Sequence, residues 1–236
     1  MYDICTEVSQ LNLVMLGLPG AGKGTQARLI AQKFEIPTVS SGDLFREHDK
    51  NNTKLGILAR DYMLKGAYVP DDVTIRMITE WVSSQDKSNG FILDGFPRTI
   101  SQAKALDDIL SNYGGLDMVI YIDISVTEAT SRISTRVLCS ICQSSFSLLD
   151  GVKEGDACKT GDEGMIYQRP DDKPSAVEER IKVYSRETQE VVQYYQRRDN
   201  LRTVLGSVPI NEVKQEIINT ITSLEDKKFG SNRRSM

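Results

Sequence analysis

The chain has 236 residues, 39% hydrophobic and 26% charged, a composition typical of a folded protein with one full core. Its net charge of −4 gives no support for general binding to nucleic acid or to an anionic membrane surface. No segment approaches the roughly 18 apolar residues of a membrane span, and the first ten residues lack the regions of a secretion signal. We therefore expect a cytoplasmic protein whose anion sites are local clusters of basic residues.

Short apolar segments alternate with segments of helical periodicity along most of the chain. Buried strands are predicted for five short segments rich in β-branched residues: 11–17, 36–40, 90–95, 117–125 and 201–206. Helices are predicted for five segments with apolar residues at helical spacing: 24–34, 70–84, 101–113, 175–198 and 211–227. Three candidate N-caps begin these helices: Asp71, Ser101 and Asn211. The alternation predicts an α/β fold, with helices on both faces of a five-stranded parallel sheet.

Two segments interrupt this alternation. Residues 40–69 are helical without a strand, and residues 135–172 are rich in Gly, Cys and Asp. We expect both to be insertions over the strand ends, where open parallel sheets bind their ligands. The core domain would then comprise three segments: 1–39, 70–134 and 173–228. Residues 229–236 are polar and basic, and we expect a flexible tail.

The segment "GLPGAGKGT", residues 17–25, follows the first predicted strand and opens the first predicted helix. The spacing of Gly17, Gly22 and Lys23 is that of a phosphate-binding P-loop. Glycines let backbone N–H groups converge on phosphate oxygens, and the helix N-terminus adds a partial positive charge. Lys23 would supply a full charge near the phosphate that is transferred.

The P-loop departs from a common pattern at the residue after Lys23. Many P-loop proteins place there a Ser or Thr that binds magnesium, whereas this chain has Gly24. We therefore expect magnesium to be held mainly by phosphates and water. Asp43 and Asp94 are the carboxylates expected to orient that water.

A second anion site is predicted beside the P-loop. The segment "DGFPRT", residues 94–99, ends a predicted strand and projects Arg98 from a turn stiffened by proline. The segment "SSGDLFR", residues 40–46, presents Ser41 and Arg46 near the end of another strand. Since parallel strands end at the same edge of the sheet, these groups should lie close together.

In this order, "GLPGAGKGT", "SSGDLFR", "DGFPRT" and "RPDDKP" resemble the motifs of the adenylate kinase family, the ATP:AMP phosphotransferases, in its long-lid form. The resemblance covers about residues 11–225. It implies a P-loop kinase fold in which residues 40–69 are an AMP-binding insertion and residues 135–172 a lid. It also implies a monomer that binds ATP, AMP and ADP and reversibly transfers a phosphoryl group from Mg-ATP to AMP.

The resemblance further assigns nucleotide contacts to matching positions. ATP contacts are implied for Gly20, Ala21, Gly22, Lys23, Gly24, Thr25, Arg132, Arg136, Ser145, Phe146 and Val208. AMP contacts are implied for Ser41, Arg46, Ala67, Tyr68, Val69, Gly95, Phe96, Pro97, Arg98, Gln102, Arg169 and Arg180. The expected catalytic residues are Lys23, Arg98, Arg136, Arg169 and Arg180. Their charges would stabilise a direct in-line transfer, which needs no covalent intermediate.

The lid segment contains a predicted metal site. Three thiols have the spacing of a structural zinc site: Cys139, Cys142 and Cys158. A fourth cysteine would complete the pattern at the position of Gly161. Asp162 is the expected fourth ligand, because some zinc-lid adenylate kinases use an aspartate there, and Asp156 is the alternative. A lid without metal also remains open, and Cys5 is expected to have no role.

Two alternative functions remain open. The first is a nucleoside monophosphate kinase with GTP as donor or with UMP or CMP as acceptor. Ser41 and Gln102 favour AMP, and the long lid argues against the short-lid pyrimidine kinases. The second is a non-catalytic adaptor in which the P-loop senses ATP and the cysteines form a zinc-ribbon interaction module. An adaptor without catalysis would be expected to lack at least one of the arginines assigned to catalysis, and all of them are present.

Overall fold

The computed structural model describes residues 10–86 and 89–232. Cys5 and the last four residues of the predicted tail lie outside this part of the chain. Its strands are β1 (Leu11–Leu16), β2 (Thr38–Ser40), β3 (Gly90–Asp94), β4 (Met118–Asp123), β5 (Arg136–Cys139), β6 (Ser145–Ser147), β7 (Ile166–Tyr167) and β8 (Leu201–Leu205). Five of them form the central sheet in the order β2-β3-β1-β4-β8, and every pairing is parallel. The predicted α/β fold is therefore confirmed.

The helices cover both faces of this sheet. They are α1 (Lys23–Phe34), α2 (Ser41–Lys50), α3 (Lys54–Leu64), α4 (Asp71–Ser83), α5 (Ile100–Leu110), α6 (Val126–Ser134), α7 (Pro174–Val183), α8 (Gln189–Gln196) and α9 (Ile210–Asn232). A π-helical turn, Tyr184–Thr188, joins α7 to α8, so the single helix predicted over 175–198 is wrong in detail. Helix α9 runs to Asn232 and so overlaps the first four residues of the predicted tail.

The three predicted N-caps are also wrong, each by one or two residues. Helix α4 begins at Asp71 itself, after Pro70, and α9 begins at Ile210. Helix α5 is capped by Thr99, whose hydroxyl accepts a hydrogen bond from the Gln102 backbone at 3.2 Å. A cap depends on which residue first leaves the helical conformation, and that boundary is set by the preceding loop.

Strand β1 lies at the centre of the sheet, and its side chains alternate between two hydrophobic cores. Leu13 packs into a cluster with Ile30 of α1, while Val14 packs into a second cluster with Leu106 of α5. Burial on both faces explains why every residue of this strand except Asn12 is apolar, without the alternation of a half-exposed strand. The sheet is thereby fixed as a rigid platform for the loops that follow its strands.

The two predicted insertions contain structure of their own. Residues 40–69 include α2 and α3, which pack against each other. Residues 135–172 include the small antiparallel sheet β6-β5-β7, with a core around Val137 and Ile166. Among the described residues, no helix is long and apolar enough to cross a membrane.

Candidate active site

A cleft of about 990 Å³ opens beside the loops that follow β1, β3 and β8. It is lined by every residue expected to contact ATP or AMP except Phe96 and Pro97. Those two are buried, and Phe96 packs in the core beside α4 and α5. The expected contact of Phe96 and Pro97 with AMP stays a prediction.

The P-loop forms one wall of the cleft. Gly20 and Gly22 have φ angles of 88° and 92°, a left-handed region that favours glycine. A side chain at Gly20 would also collide with the backbone, because its Cβ would lie 2.6 Å from the Ala129 carbonyl oxygen. Gly22 caps α1 without a side-chain hydrogen bond, so the first N–H groups of the helix are left for an anion.

Lys23 is half-buried in the P-loop and is held by backbone carbonyls. Its Nζ donates to the Gly17 oxygen at 2.9 Å and to the Leu18 oxygen at 3.0 Å. Burial lowers the pKa of Lys23 to about 8, and the charges of nearby arginines act in the same direction against the opposing charge of Asp94. An anionic phosphate in the cleft would reverse this effect and favour the charged ammonium.

Asp94 lies beside the glycine that replaces the usual magnesium ligand. A Cβ built on Gly24 would be 3.1 Å from Asp94 Oδ2, so this carboxylate borders the space that a Ser or Thr would occupy. Its Oδ1 is buried and makes no hydrogen bond to a described residue. Burial raises the pKa of Asp94, although the charge of Lys23 opposes the shift. A buried carboxylate oxygen without a protein donor is suited to accept a hydrogen bond from a metal-bound water.

Asp43, the second carboxylate predicted to orient magnesium-bound water, is paired with arginines instead. Its Oδ1 accepts from Arg46 at 2.5 Å and from Arg169 at 3.0 Å. Burial acts to raise the pKa of Asp43, but Arg46 and Arg169 lower it overall. The carboxylate thus links the AMP insertion to the end of the lid segment.

Seven arginines line the cleft. Five of them are predicted catalytic or AMP-binding residues: Arg46, Arg98, Arg136, Arg169 and Arg180. Two neighbouring carboxylates hold three of them. Asp172, fully buried, accepts two hydrogen bonds from Arg136 at 2.6 and 2.8 Å and one from Arg180 at 3.1 Å. Asp171 lies 3.2 Å from Arg180 and 3.6 Å from Arg46. Such charge-assisted pairs fix the guanidinium planes and offset the repulsion among them.

Asp171 and Asp172 are site residues that the sequence interpretation missed. The motif "RPDDKP" contains them, but only Arg169 received a role. Burial acts to raise the pKa of Asp171, but the surrounding arginines lower it overall, so this carboxylate stays charged. Two acidic residues, two and three positions after Arg169, were the available signal.

The acceptor side is built around the loop after β3. The Gly95 carbonyl accepts from Ser41 Oγ at 2.7 Å and from Arg98 Nε at 2.7 Å. The buried Gln102 carboxamide accepts from the Arg98 backbone at 2.8 Å and donates to Asp71 at 2.7 Å. These bonds hold Ser41, Arg98 and Gln102 against one short loop at the floor of the cleft.

The lid brings four candidate metal ligands together. One ligand atom from each of Cys139, Cys142, Cys158 and Asp162 lies within 4.8 Å of the others. Asp162 is fixed by the Gly164 backbone N–H at 2.8 Å, whereas the alternative ligand, Asp156, accepts from the Lys153 backbone at 2.8 Å. Three thiols and a carboxylate at these separations fit a tetrahedral Zn²⁺ site.

A P-loop at the head of a parallel sheet, facing a cluster of arginines across one cleft, defines a P-loop kinase. The family model for adenylate kinase matches residues 15–200. The chain belongs to the adenylate kinase family. It is similar to the adenylate kinase of Thermosipho africanus, with 42% identity over 89% of this chain and 99% of the relative. It is also 40% identical to the adenylate kinase of Staphylococcus epidermidis, over 91% of this chain and all of the relative.

Proposed function

We propose that this protein reversibly transfers the terminal phosphoryl group of ATP to AMP, giving two molecules of ADP. The observation that carries this proposal is the convergence of the P-loop and five arginines on one cleft. Two anionic nucleotides can share such a cleft only if several fixed cations offset their mutual repulsion.

The donor nucleotide would lie along the P-loop and under the lid. Backbone N–H groups from Gly20 to Thr25 would bind its phosphates, with Lys23 at the transferred group. Arg132 is the candidate for stacking on the adenine: its guanidinium is held by the Gly206 carbonyl at 2.9 Å and by Glu128 at 2.5 Å. Ser145, Phe146 and Val208 line the same end of the cleft.

The acceptor would lie over the loop after β3. Arg46 and Arg98 would bind the AMP phosphate, and the backbone of residues 67–69 would face its base. The Gln102 carboxamide uses one donor and one acceptor on its protein neighbours. Its second N–H and its second lone pair remain for the adenine edge. This supports AMP as acceptor over the pyrimidine nucleotides.

Catalysis would come from positioning and charge neutralisation. An oxygen of the AMP phosphate forms the new bond to the γ-phosphorus of ATP, and the bond from that phosphorus to the β-phosphate oxygen breaks, so ADP leaves. Lys23, Arg136 and Arg180 would stabilise the charge on the transferring group. Arg169 is tied to Asp43 of the opposite insertion, which supports its placement between the two nucleotides.

Two metal ions are part of the proposal. Bound with ATP, Mg²⁺ would neutralise charge on the phosphate oxygens, and Asp94, with Asp43 as the second candidate, would hold it through water. Zn²⁺ would occupy the four-ligand cluster of the lid. There it would stabilise a subdomain whose own hydrophobic core is small.

We also infer a cytoplasmic monomer. The monomer rests on the resemblance to the adenylate kinase family. Free thiols at Cys139, Cys142 and Cys158 fit a reducing compartment. Sedimentation velocity at several protein concentrations tests the monomer directly.

A coupled assay of ADP formation tests the function. ATP would be offered with AMP, GMP, UMP or CMP, with magnesium or with EDTA, and alone. We expect rapid, magnesium-dependent turnover with AMP and little hydrolysis without an acceptor, because a closed cleft excludes water. Turnover with another acceptor would contradict the base assignment. ATP binding without turnover on any acceptor would favour the adaptor.

A further inference from the structure

The hydroxyl of Thr188 joins three segments that are distant in sequence. Thr188 is only 1% exposed and ends the π-helical turn between α7 and α8. Its Oγ1 lies 2.9 Å from the carbonyl oxygen of Arg98 and 2.7 Å from the hydroxyl oxygen of Tyr68. Tyr68 belongs to the end of the AMP insertion, and Arg98 to the loop after β3. One buried side chain therefore contacts both parts of the acceptor site.

The direction of these two hydrogen bonds follows from proton counting. A carbonyl oxygen only accepts, so the single hydroxyl proton of Thr188 is donated to Arg98. The Tyr68 hydroxyl must then donate to Thr188. Burial raises the pKa of Tyr68, which keeps its hydroxyl protonated and able to donate at neutral pH. The result is a directed chain from Tyr68 through Thr188 to the Arg98 backbone.

The π-helical turn places Thr188 in this position. The Gln189 N–H donates to the Tyr184 carbonyl, five residues back rather than four. One extra residue in a turn rotates the following side chains by about 100° relative to an uninterrupted α-helix. Insertions of this kind occur frequently at functional sites.

Tyr68 also contacts the charged end of Arg98. The Arg98 guanidinium carbon lies 5.1 Å from the centre of the Tyr68 ring, within cation–π range. The Arg98 Nε donates to Gly95, while its backbone N–H and carbonyl bind Gln102 and Thr188. Both backbone polar groups and one face of the guanidinium are thus fixed. The terminal nitrogens make no hydrogen bond to any described residue and border the cleft.

We propose that Tyr68 and Thr188 are positioning residues that hold Arg98 ready for the acceptor phosphate. The proposal rests on the proposed function, because it takes the anion at Arg98 to be the phosphate of AMP. Neither side chain needs to touch the reacting atoms. Their effect should appear in acceptor binding and leave donor binding largely unchanged, since the P-loop lies on the other wall of the cleft.

The first test compares Thr188→Val with Thr188→Ser. Valine keeps the shape and removes the hydroxyl, while serine keeps the hydroxyl. We expect Thr188→Val to raise the KM for AMP on the order of tenfold, because a buried carbonyl loses its donor, with the KM for ATP within about twofold. Thr188→Ser should restore most of the AMP affinity. Thr79→Val is the matched control: among the described residues, that hydroxyl binds only the Ile75 carbonyl of its own helix, and kinetic constants should not change.

The second test separates the two roles of Tyr68. Tyr68→Phe removes only the hydroxyl, and Tyr68→Leu removes the ring as well. The AMP affinity of Tyr68→Leu should therefore be about 2- to 30-fold lower than that of Tyr68→Phe. Because the Tyr68 hydroxyl acts through Thr188, adding Tyr68→Phe to Thr188→Val should cost nothing further. If Thr188→Val fails to fold, Tyr68→Phe and Tyr68→Leu still test the proposal.

Calorimetric titration of AMP, without ATP, separates this inference from the proposed function. A wild-type protein that binds AMP but forms no ADP would refute the function, and the AMP affinities of the variants would still decide the positioning role. Equal rises in the KM for ATP and AMP, or unchanged AMP affinity in both Thr188→Val and Tyr68→Leu, would overturn the inference.

Discussion

Asp172→Asn is the substitution that most directly tests how the arginine cluster is held. The Asp172 side chain is fully buried and accepts three hydrogen bonds from Arg136 and Arg180. An amide keeps the shape, removes the negative charge and turns one acceptor oxygen into a donor that faces a guanidinium. Arg136 then loses its counter-charge, and Arg180 keeps the Asp171 carboxylate.

The expected loss of stability follows from that geometry. Breaking a buried ion pair by removing one partner costs roughly 3–5 kcal/mol. For a chain of this size, each 1 kcal/mol lowers the Tm by about 2–4 °C, so Asp172→Asn should lower it by about 6–20 °C. The turnover number should fall at least about tenfold, because Arg136 and Arg180 lose the fixed orientation on which charge stabilisation depends.

Thermal unfolding without nucleotide and steady-state kinetics are the assays. Asp199→Asn is the matched control, since that side chain is 95% exposed and its one ion pair within the described part of the chain is with Arg202 on the surface. Screened pairs of this kind contribute little, and its Tm should stay that of the wild type. If Asp172→Asn unfolds at the same temperature as Asp199→Asn and turns over normally, Asp172 does not hold the arginines.

Three further predictions concern the anion and metal sites. Arg98→Ala should lower turnover at least about a hundredfold with an unchanged circular dichroism spectrum, because the acceptor phosphate loses a fixed cation; near-normal turnover would remove its assigned role. The pKa of Lys23 is lowered to about 8 in the folded protein, so kcat/KM for ATP should fall above pH 8 as the ammonium loses its proton. ATP binding near pH 8 should correspondingly take up protons, which is measured by calorimetry in buffers of different ionisation enthalpy. A kcat/KM for ATP that stays constant up to pH 9.5 would contradict this prediction. Metal analysis of protein purified without chelator should give about one zinc per chain, and Cys142→Ala should abolish it, since three ligands do not close a structural site; less than a tenth of an equivalent in the wild type would count against the site.

The P-loop and the five-stranded parallel sheet could be predicted because their signals are local. Gly22 and Lys23 lie at fixed spacing after an apolar run, and the backbone geometry of that turn leaves few alternatives. The cysteine spacing likewise located the metal cluster. The choice of Asp162 over Asp156 rested on resemblance, and the fold then brought Asp162 to the thiols.

The supporting residues of the site could not be predicted, because their partners are distant in sequence. Thr188 contacts Arg98 across 90 positions, and Asp172 contacts Arg136 across 36. The π-helical turn before α8 interrupts a helical pattern that looks continuous from residue 175 to 198. Phe96 lies within a motif that is predicted to bind nucleotide, yet its side chain packs in the core.

The central claim is direct transfer between two nucleotides in one cleft. A single-turnover reaction with ATP labelled at the γ-phosphate, excess AMP and magnesium tests it most directly. The account predicts that the label appears in the β-phosphate of ADP, with negligible release as inorganic phosphate. Label released as inorganic phosphate at the same rate with and without AMP would contradict it.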